Sequence, residues 1–262
     1  MTNIVFYFSG TGNSLKVAKS IAEELKNVEI VSMNQIAEVN LEKEYETIGF
    51  VYPVYFGGLP NKVYDFVSNL DLKNNKNSYY YGIATYGGFV GNGISQLNEL
   101  LQYKHDLSLD FGEKLKMFAN YIVKYKMRDN VIETTEKSNK DLIPILDKIK
   151  RKEEKKSKKS GILFKFFYNK GIKNIKRIDK NYNVNINCTY CGICVNLCPV
   201  QNIKINSNKH EFNHECEQCM ACIQYCPEQA LNYKNKTQNR GRYNHPDINY
   251  EELVKMNNII DK

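Results

Sequence analysis

The chain has 262 residues, 42% of them hydrophobic, with eight cysteines and a formal net charge of +8. That length fits one or two domains, and the apolar content excludes a disordered chain. No stretch reaches the run of about 18 apolar residues that a spanning helix needs, and MTNIVFYFSGTGNS lacks the basic region and small-residue cleavage site of a secretory signal, so a cytoplasmic location without structural disulfides is expected.

Residues 3–8, NIVFYF, are apolar and β-branched or aromatic and run into Ser-Gly-Thr-Gly-Asn, which reads as a buried strand closed by a glycine turn. Over residues 14–26 the apolar positions Leu15, Ala18, Ile21, Ala22 and Leu25 recur at helical spacing. Residues 28–33 and 47–52 read as a second and a third strand, the third ending at Pro53. A short helix is expected over 60–70, with Val63, Phe66, Val67 and Leu70 on one face. Residues 79–85 read as a fourth strand closed by Gly87-Gly88, residues 91–103 as a helix, and residues 107–111 as a weaker fifth strand. Strands alternating with helices imply an α/β fold, a mostly parallel sheet covered on both faces. Residues 138–160 read as a long, increasingly basic helix, and ILFKFFY at 162–168 is apolar enough to dock onto something.

Between Lys148 and Lys180 there are fourteen Lys and Arg against Glu153, Glu154 and Asp179, a local excess of eleven that leaves the rest of the chain at −3. Such a segment suits an acidic protein or peripheral contact with an anionic membrane; a solvated lysine-rich helix and linker is the plainer reading. It carries no nucleic-acid motif.

Residues 1–187 contain no cysteine, and all eight lie between Cys188 and Cys226. They form the chain's one clear internal repeat: Cys188, Cys191, Cys194, Cys198-Pro199, and 28 residues later Cys216, Cys219, Cys222, Cys226-Pro227. Both halves read C-x2-C-x2-C-x3-C-P. Three thiolates so closely spaced can wrap three corners of one cubane, while the fourth, before proline, ligates the other cluster in two-cluster ferredoxins. Two [4Fe–4S] clusters are therefore expected, one on Cys188, Cys191, Cys194 and Cys226, the other on Cys216, Cys219, Cys222 and Cys198. Structural zinc prefers two separated pairs of ligands. Gly192, after the second cysteine, suits a backbone folded tightly on a cluster, and Met220 holds the equivalent position in the second half.

Ser9-Gly10-Thr11-Gly12-Asn13-Ser14, between strand one and helix one, offers backbone N–H groups, a helix N-terminus and three hydroxyls to one anion. A P-loop needs G-x4-G-K-[ST], which is absent, and a dinucleotide fingerprint needs a glycine where Leu15 stands. Two more loops follow carboxyl ends of strands, where open α/β sheets bind ligands: Pro53-Val54-Tyr55-Phe56-Gly57-Gly58-Leu59-Pro60 and Thr85-Tyr86-Gly87-Gly88-Phe89-Val90-Gly91-Asn92. Tyr55, Phe56, Tyr86 and Phe89 are candidates to flank a flat ring.

The loop at 9–14 resembles the flavodoxin phosphate loop, and the cysteine repeat resembles bacterial two-[4Fe–4S] ferredoxins. Together FSGTGNS, PVYFGGLP, TYGG and the paired cysteine motifs resemble the EFR1-type flavodoxin–ferredoxin fusions, over nearly the whole chain. Met117-Phe118-Ala119-Asn120-Tyr121 is similar to a Met-Pro-x-Asn-Tyr motif of that family, with Phe118 in place of proline. The resemblance implies FMN as a second cofactor and a flavodoxin-like, doubly wound parallel five-stranded sheet over residues 1–136. It further implies a basic helical linker at 137–180, a small α+β two-[4Fe–4S] ferredoxin-like domain at 181–235 and a C-terminal tail at 236–262. It makes electron transfer between the clusters and FMN the expected function, with redox proteins as partners, either a ferredoxin-type donor or a flavin or iron–sulfur acceptor. The alternative is a flavin reductase acting on a small acceptor such as a quinone. None of the four histidines, His105, His210, His214 and His245, nor any carboxylate, falls in the three loops, which favours the carrier over a proton-delivering enzyme.

Overall fold

The computed structural model describes residues 2–35, 41–173 and 175–257. β1 (Asn3–Tyr7) is buried along its whole length because alternate residues serve two cores. Ile4 and Phe6, with Phe8 beyond the strand, pack with Phe50, Phe66, Val67 and Leu97 on one side; Val5 and Tyr7 pack with Leu15, Ile21, Ile83 and Leu142 on the other. β1 joins β2 (Val28–Ser32), β3 (Thr47–Pro53), β4 (Tyr79–Tyr86) and β5 (Phe111–Lys116) in a parallel sheet of order β2-β1-β3-β4-β5. This is the doubly wound, flavodoxin-like sheet expected from the sequence, and its strand order reverses beside β1, the place where such sheets bind ligands. α2 (Asn61–Ser68) and α3 (Gly93–His105) cover the Phe6 side, while α1 (Asn13–Leu25) and α4 (Val131–Lys150) cover the Tyr7 side.

Two boundaries differ from expectation. The fifth strand begins at Phe111, not Leu107. Residues 107–109 show a strand-like alternation, but α3 takes their backbone: Leu107 N–H donates to the Leu101 carbonyl, and Leu109 N–H to Asn98 Oδ1. The Asp110 N–H reaches the Tyr80 carbonyl at 2.9 Å, and the regular ladder with β4 runs from Phe111, opposite Tyr81, onward. The basic helix starts at Val131 and stops at Lys150, well before residue 160. Beyond it the chain turns back along the sheet edge, with Lys155 N–H donating to the Asp110 carbonyl. α5 (Ile162–Ile172) then forms a separate helix.

The cysteine-rich part is built from β6 (Tyr182–Val184), α6 (Ile193–Asn196), β7 (Ile203–Asn206), β8 (Lys209–Phe212), α7 (Ala221–Gln224) and β9 (Leu231–Tyr233). β6 pairs antiparallel with β9, and β7 with β8. Leu197 and Ala221 join the core around Leu15 and Ile21, so this part shares an apolar core with the sheet. The chain then returns across the N-terminal part, and its last described element is α8 (Tyr250–Asn257). Ile248 and Leu253 enter that same core, and Tyr7 Oη donates to Asn257 Oδ1 at 3.0 Å. Among the described residues no helix is long and apolar enough to cross a membrane.

Candidate functional site

The loop after β1 is held from both ends. Gly12 has φ 95°, which lets the chain turn into α1 without a side-chain penalty, and its N–H donates to Ser9 Oγ at 3.1 Å. Ser9, Thr11, Asn13 and Ser14 are all buried. Ser14 Oγ and Thr85 Oγ1 lie 3.0 Å apart, Asn120 Nδ2 donates to Thr11 Oγ1, and Tyr243 Oη donates to Asn13 Oδ1 at 2.7 Å. Among the described residues the N–H groups of Gly10, Thr11 and Asn13 meet no protein acceptor. Free N–H groups at the start of a helix are what an anion needs.

The loop after β3 makes the second wall. Tyr55 and Gly58 exchange two backbone hydrogen bonds, of 3.0 and 2.9 Å, across Phe56 and Gly57. Both central residues have positive φ, 51° and 81°, as in a type I′ turn. Phe56 occupies a position that favours Asn or Gly, and its ring stands at the rim against Gly171 of α5. The loop after β4 supplies the third wall, with Gly87 packed on Ala119. Together these loops enclose a cavity of about 400 Å³, within the size range of a cofactor site.

That cavity brings together Ser9, Gly10, Thr11, Asn13, Ser14, Pro53, Val54, Tyr55, Phe56, Gly57, Thr85, Tyr86, Gly87 and Gly88, with Phe89 at its edge. Gly12 and Asn92 stand behind it. Gly12 faces His245 and Ile248, and Asn92 braces the Phe56 turn by donating its N–H to the Gly57 carbonyl at 2.7 Å. Phe118, Ala119, Asn120 and Tyr121, all within the 117–121 motif, also line the cavity. Lys124, Tyr125, Phe167, Gln218, Cys219 and Met220 line it without any earlier signal. The last three lie inside the second cysteine motif, whose spacing speaks of ligands and not of what the loop's other side touches. Tyr121 Oη donates to Gln218 Oε1 at 2.7 Å, tying the two walls together.

The eight cysteines divide between two smaller cavities. Cys188, Cys191, Cys194 and Cys226 line one; Cys198, Cys216, Cys219 and Cys222 line the other. The repeat is visible in the backbone. Gly192 and Met220 both adopt left-handed conformations, φ 77° and 64°, immediately before α6 and α7. Backbone N–H groups donate to sulfur at matching places in each half: Tyr190 to Cys188 and Gln218 to Cys216, at 3.4 and 3.3 Å, then Asn202 to Cys198 and Ala230 to Cys226, both at 3.2 Å. Burial pushes the Cys194 thiol up to about 11 and the Cys216 thiol to about 12, and neighbouring cysteines add to both shifts. Among the described residues no three His, Cys, Asp or Glu side chains converge closely enough to chelate a single metal ion.

One segment joins the cavities. Cys219 and Met220 line both the large cavity and the second cysteine cavity. A Cβ on Gly10 would stand 2.5 Å from the Cys219 carbonyl oxygen, so the first glycine of the N-terminal loop lies directly against a cysteine of the repeat. Glu217 fixes the same segment: its Oε1 accepts the Lys62 N–H at 2.8 Å, at the start of α2. Burial pushes this carboxyl up to about 7.

Residues 4–88 match the family model of the flavodoxin domain, and the N-terminal part is flavodoxin-like. No curated protein matches the chain. Solved structures similar to it include a flavodoxin from the domain Archaea, 16% identical over 56% of this chain and 99% of that one, with a TM-score of 0.38. A flavoprotein in complex with FMN from Lactobacillus acidophilus is 17% identical over 43% of this chain and 92% of its own, with a TM-score of 0.36. The two-electron reduced flavodoxin of Megasphaera elsdenii is 19% identical over 54% and 99%, with a TM-score of 0.35.

Proposed function

We propose that this protein transfers electrons within one chain, between FMN held in the loop cavity and two [4Fe–4S] clusters held in the two cysteine cavities. The observation that carries the reading is the shared wall: Cys219 and Met220 line both the loop cavity and the second cysteine cavity. A bound flavin exchanges one or two electrons and each cluster one, so the combination converts between single-electron carriers and two-electron chemistry.

The chain's own residues suit these groups. The N–H groups of Gly10, Thr11 and Asn13, with the α1 N-terminus, would hold a phosphate without a cation of their own. Tyr55, Phe56 and Tyr86 line the same cavity and would flank a flat ring held there. Four N–H···S bonds arranged in two equivalent pairs favour thiolates over thiols. The eight cysteines divide four and four between the two small cavities, and four sulfur ligands are what one cubane takes. Cys191 is exposed, whereas Cys222 is buried, so the first cysteine cavity has the more accessible ligand set.

Among the described residues the lining of the loop cavity contains no His, Asp or Glu. A reductase that hands protons to a small acceptor benefits from such a group, so the lining supports the carrier reading. Anaerobic reconstitution followed by iron, sulfide and flavin analysis tests it. Eight iron and one FMN per chain are the amounts expected of two cubanes and one flavin site (about 8 and 1). Half that iron after full reconstitution, or no flavin, overturns the corresponding part.

A further inference from the structure

We propose that the mouth of the loop cavity is the docking surface for a small acidic one-electron carrier protein, and that α5 supplies the cationic part of that surface. The inference rests on the flavin reading above. It starts from how α5 is placed. Its inner side is occupied: Tyr168 packs on Gly58 and donates its Oη to the Leu59 carbonyl at 2.7 Å, and Gly171 packs on Phe56. Positions three and four apart share a helix face, so Phe166, Lys170 and Lys173 form an outward stripe, and all three are exposed.

Phe167 belongs to both surfaces. It lines the cavity and is still 58% exposed. With Phe56, 40% exposed, and Phe89, 56% exposed, it makes an aromatic rim around the opening. Phe166, 64% exposed, extends that rim outward, its ring centroid 5.9 Å from that of Phe167. Exposed apolar rings clustered at one opening mark a contact surface more than chance surface residues do.

Charge identifies the partner. Of the fourteen cations between Lys148 and Lys180, Lys150, Arg151, Lys152, Lys155, Lys165 and Lys176 are spent in ion pairs with this chain's own carboxylates. Lys170 and Lys173, beside the rim, have no ion pair among the described residues, and neither does Lys124, which is exposed at the cavity's edge. An apolar centre within a ring of unneutralised lysines matches a small protein of negative surface potential and steers it to the opening. An anionic membrane is the competing occupant. A helix lying in a lipid surface must bury its whole apolar face, and here the Tyr168 and Gly171 side is already committed to the protein.

Each encounter moves one electron: the reduced carrier is oxidised by one electron, and this protein takes that electron up. The test uses the fully loaded protein and a reduced acidic ferredoxin freed of excess reductant, mixed under anaerobic conditions. We expect the second-order rate of electron uptake to fall as salt rises, and Lys170→Glu/Lys173→Glu to slow it at low salt by about tenfold or more. Phe166→Ser should weaken docking in the same direction. Photochemical reduction by a small neutral donor should not change in any variant. Binding of the oxidised ferredoxin, measured by calorimetry at low salt, should weaken in parallel. That second measurement does not depend on flavin loading, so it separates failure of the surface from failure of the functional reading. Rates and affinities equal to wild type within twofold overturn the proposal. So does lysine-dependent binding to phosphatidylserine vesicles without any binding to the ferredoxin.

Discussion

Gly10→Ala is the most direct perturbation of the wall between the loop cavity and the cysteine repeat. Gly10 does not have a positive φ, so alanine meets no backbone penalty and its whole effect is steric. The new Cβ would stand 2.5 Å from the Cys219 carbonyl oxygen, 2.8 Å from Cys219 Cβ and 3.2 Å from its carbonyl carbon. These atoms are backbone or the root of the side chain, so no rotamer change relieves the clash. Ordinary contact distances of about 3.5 Å require the two loops to separate by about 1 Å. Overfilling a packed site costs about 1–3 kcal/mol, equivalent to about 5- to 150-fold in an equilibrium constant. FMN affinity, measured anaerobically by flavin fluorescence quenching, should fall within that range. Iron should also be lost faster from the Cys198, Cys216, Cys219 and Cys222 set than from the other. Gly192→Ala is the reference. Its φ is 77° and nothing lies within 4 Å of the added carbon, so it costs only the left-handed backbone, about 1 kcal/mol, with FMN affinity unchanged. A Gly10→Ala protein that binds FMN like wild type and keeps all its iron refutes the claim that the two loops form one rigid wall.

His245 makes stability depend on pH. It is fully buried against Gly12, its Nδ1 accepts the Asp247 N–H at 3.2 Å, and its Nε2 has no partner among the described residues. Burial lowers its pKa to about 4, an effect that Asp247 opposes and Lys16 reinforces. The unfolded chain therefore binds more protons than the folded one between pH 4 and 6.5, so stability rises with pH across that window. As pH falls from 6.5 to 4 the loss approaches about 3 kcal/mol. Urea unfolding of wild type and His245→Gln should diverge by this amount, and parallel pH profiles would refute it. Glu217→Ala removes the acceptor at the start of α2 but also a carboxylate oxygen, Oε2, that is buried without a partner among the described residues. The net cost is then about 1 kcal/mol, and the Lys62 amide should exchange faster with solvent. Unchanged protection of that amide would show that the contact does not hold the segment.

The sheet was legible because its strands are short, apolar and separated by helical periodicity, so local signals and tertiary burial agree. Leu107–Phe111 misled for the same reason: Leu107, Leu109 and Phe111 alternate as a strand does, and nothing local reveals that Asn98 and Leu101 capture the backbone first. The division of the cysteines between two cavities was readable because the repeat fixes its own geometry. The loops at 9–14, 53–57 and 85–88 were readable as candidates because they follow carboxyl ends of strands. What local pattern could not show was contact between segments about 200 residues apart. Gly12 looks like a ligand residue by position, yet its missing side chain makes room for His245 and Ile248. Asn92 looks like another, yet it serves the Phe56 turn.

Those long-range contacts give the chain its functional logic. An electron carrier must keep two redox sites at a fixed separation, and a flexible tether between independent domains does not do so. Here residues 216–220 border both the loop cavity and the second cysteine cavity, the two places where the proposed function puts its redox groups. Cys216 and Cys219 face the second cysteine cavity, Glu217 caps α2, Gln218 holds Tyr121 and the Ile175 carbonyl, and Met220 closes the loop cavity. The returning C-terminal segment holds the other side of the N-terminal loop: Tyr243 bonds Asn13 and stacks on Phe118, with ring centroids 4.5 Å apart, and His245 N–H donates to the Thr11 carbonyl. The loop is thus clamped between the cysteine repeat and the chain's last elements. Substitutions behind the cavity, at Gly12 or His245, should therefore act on the same site as those inside it, because they move the same short loop.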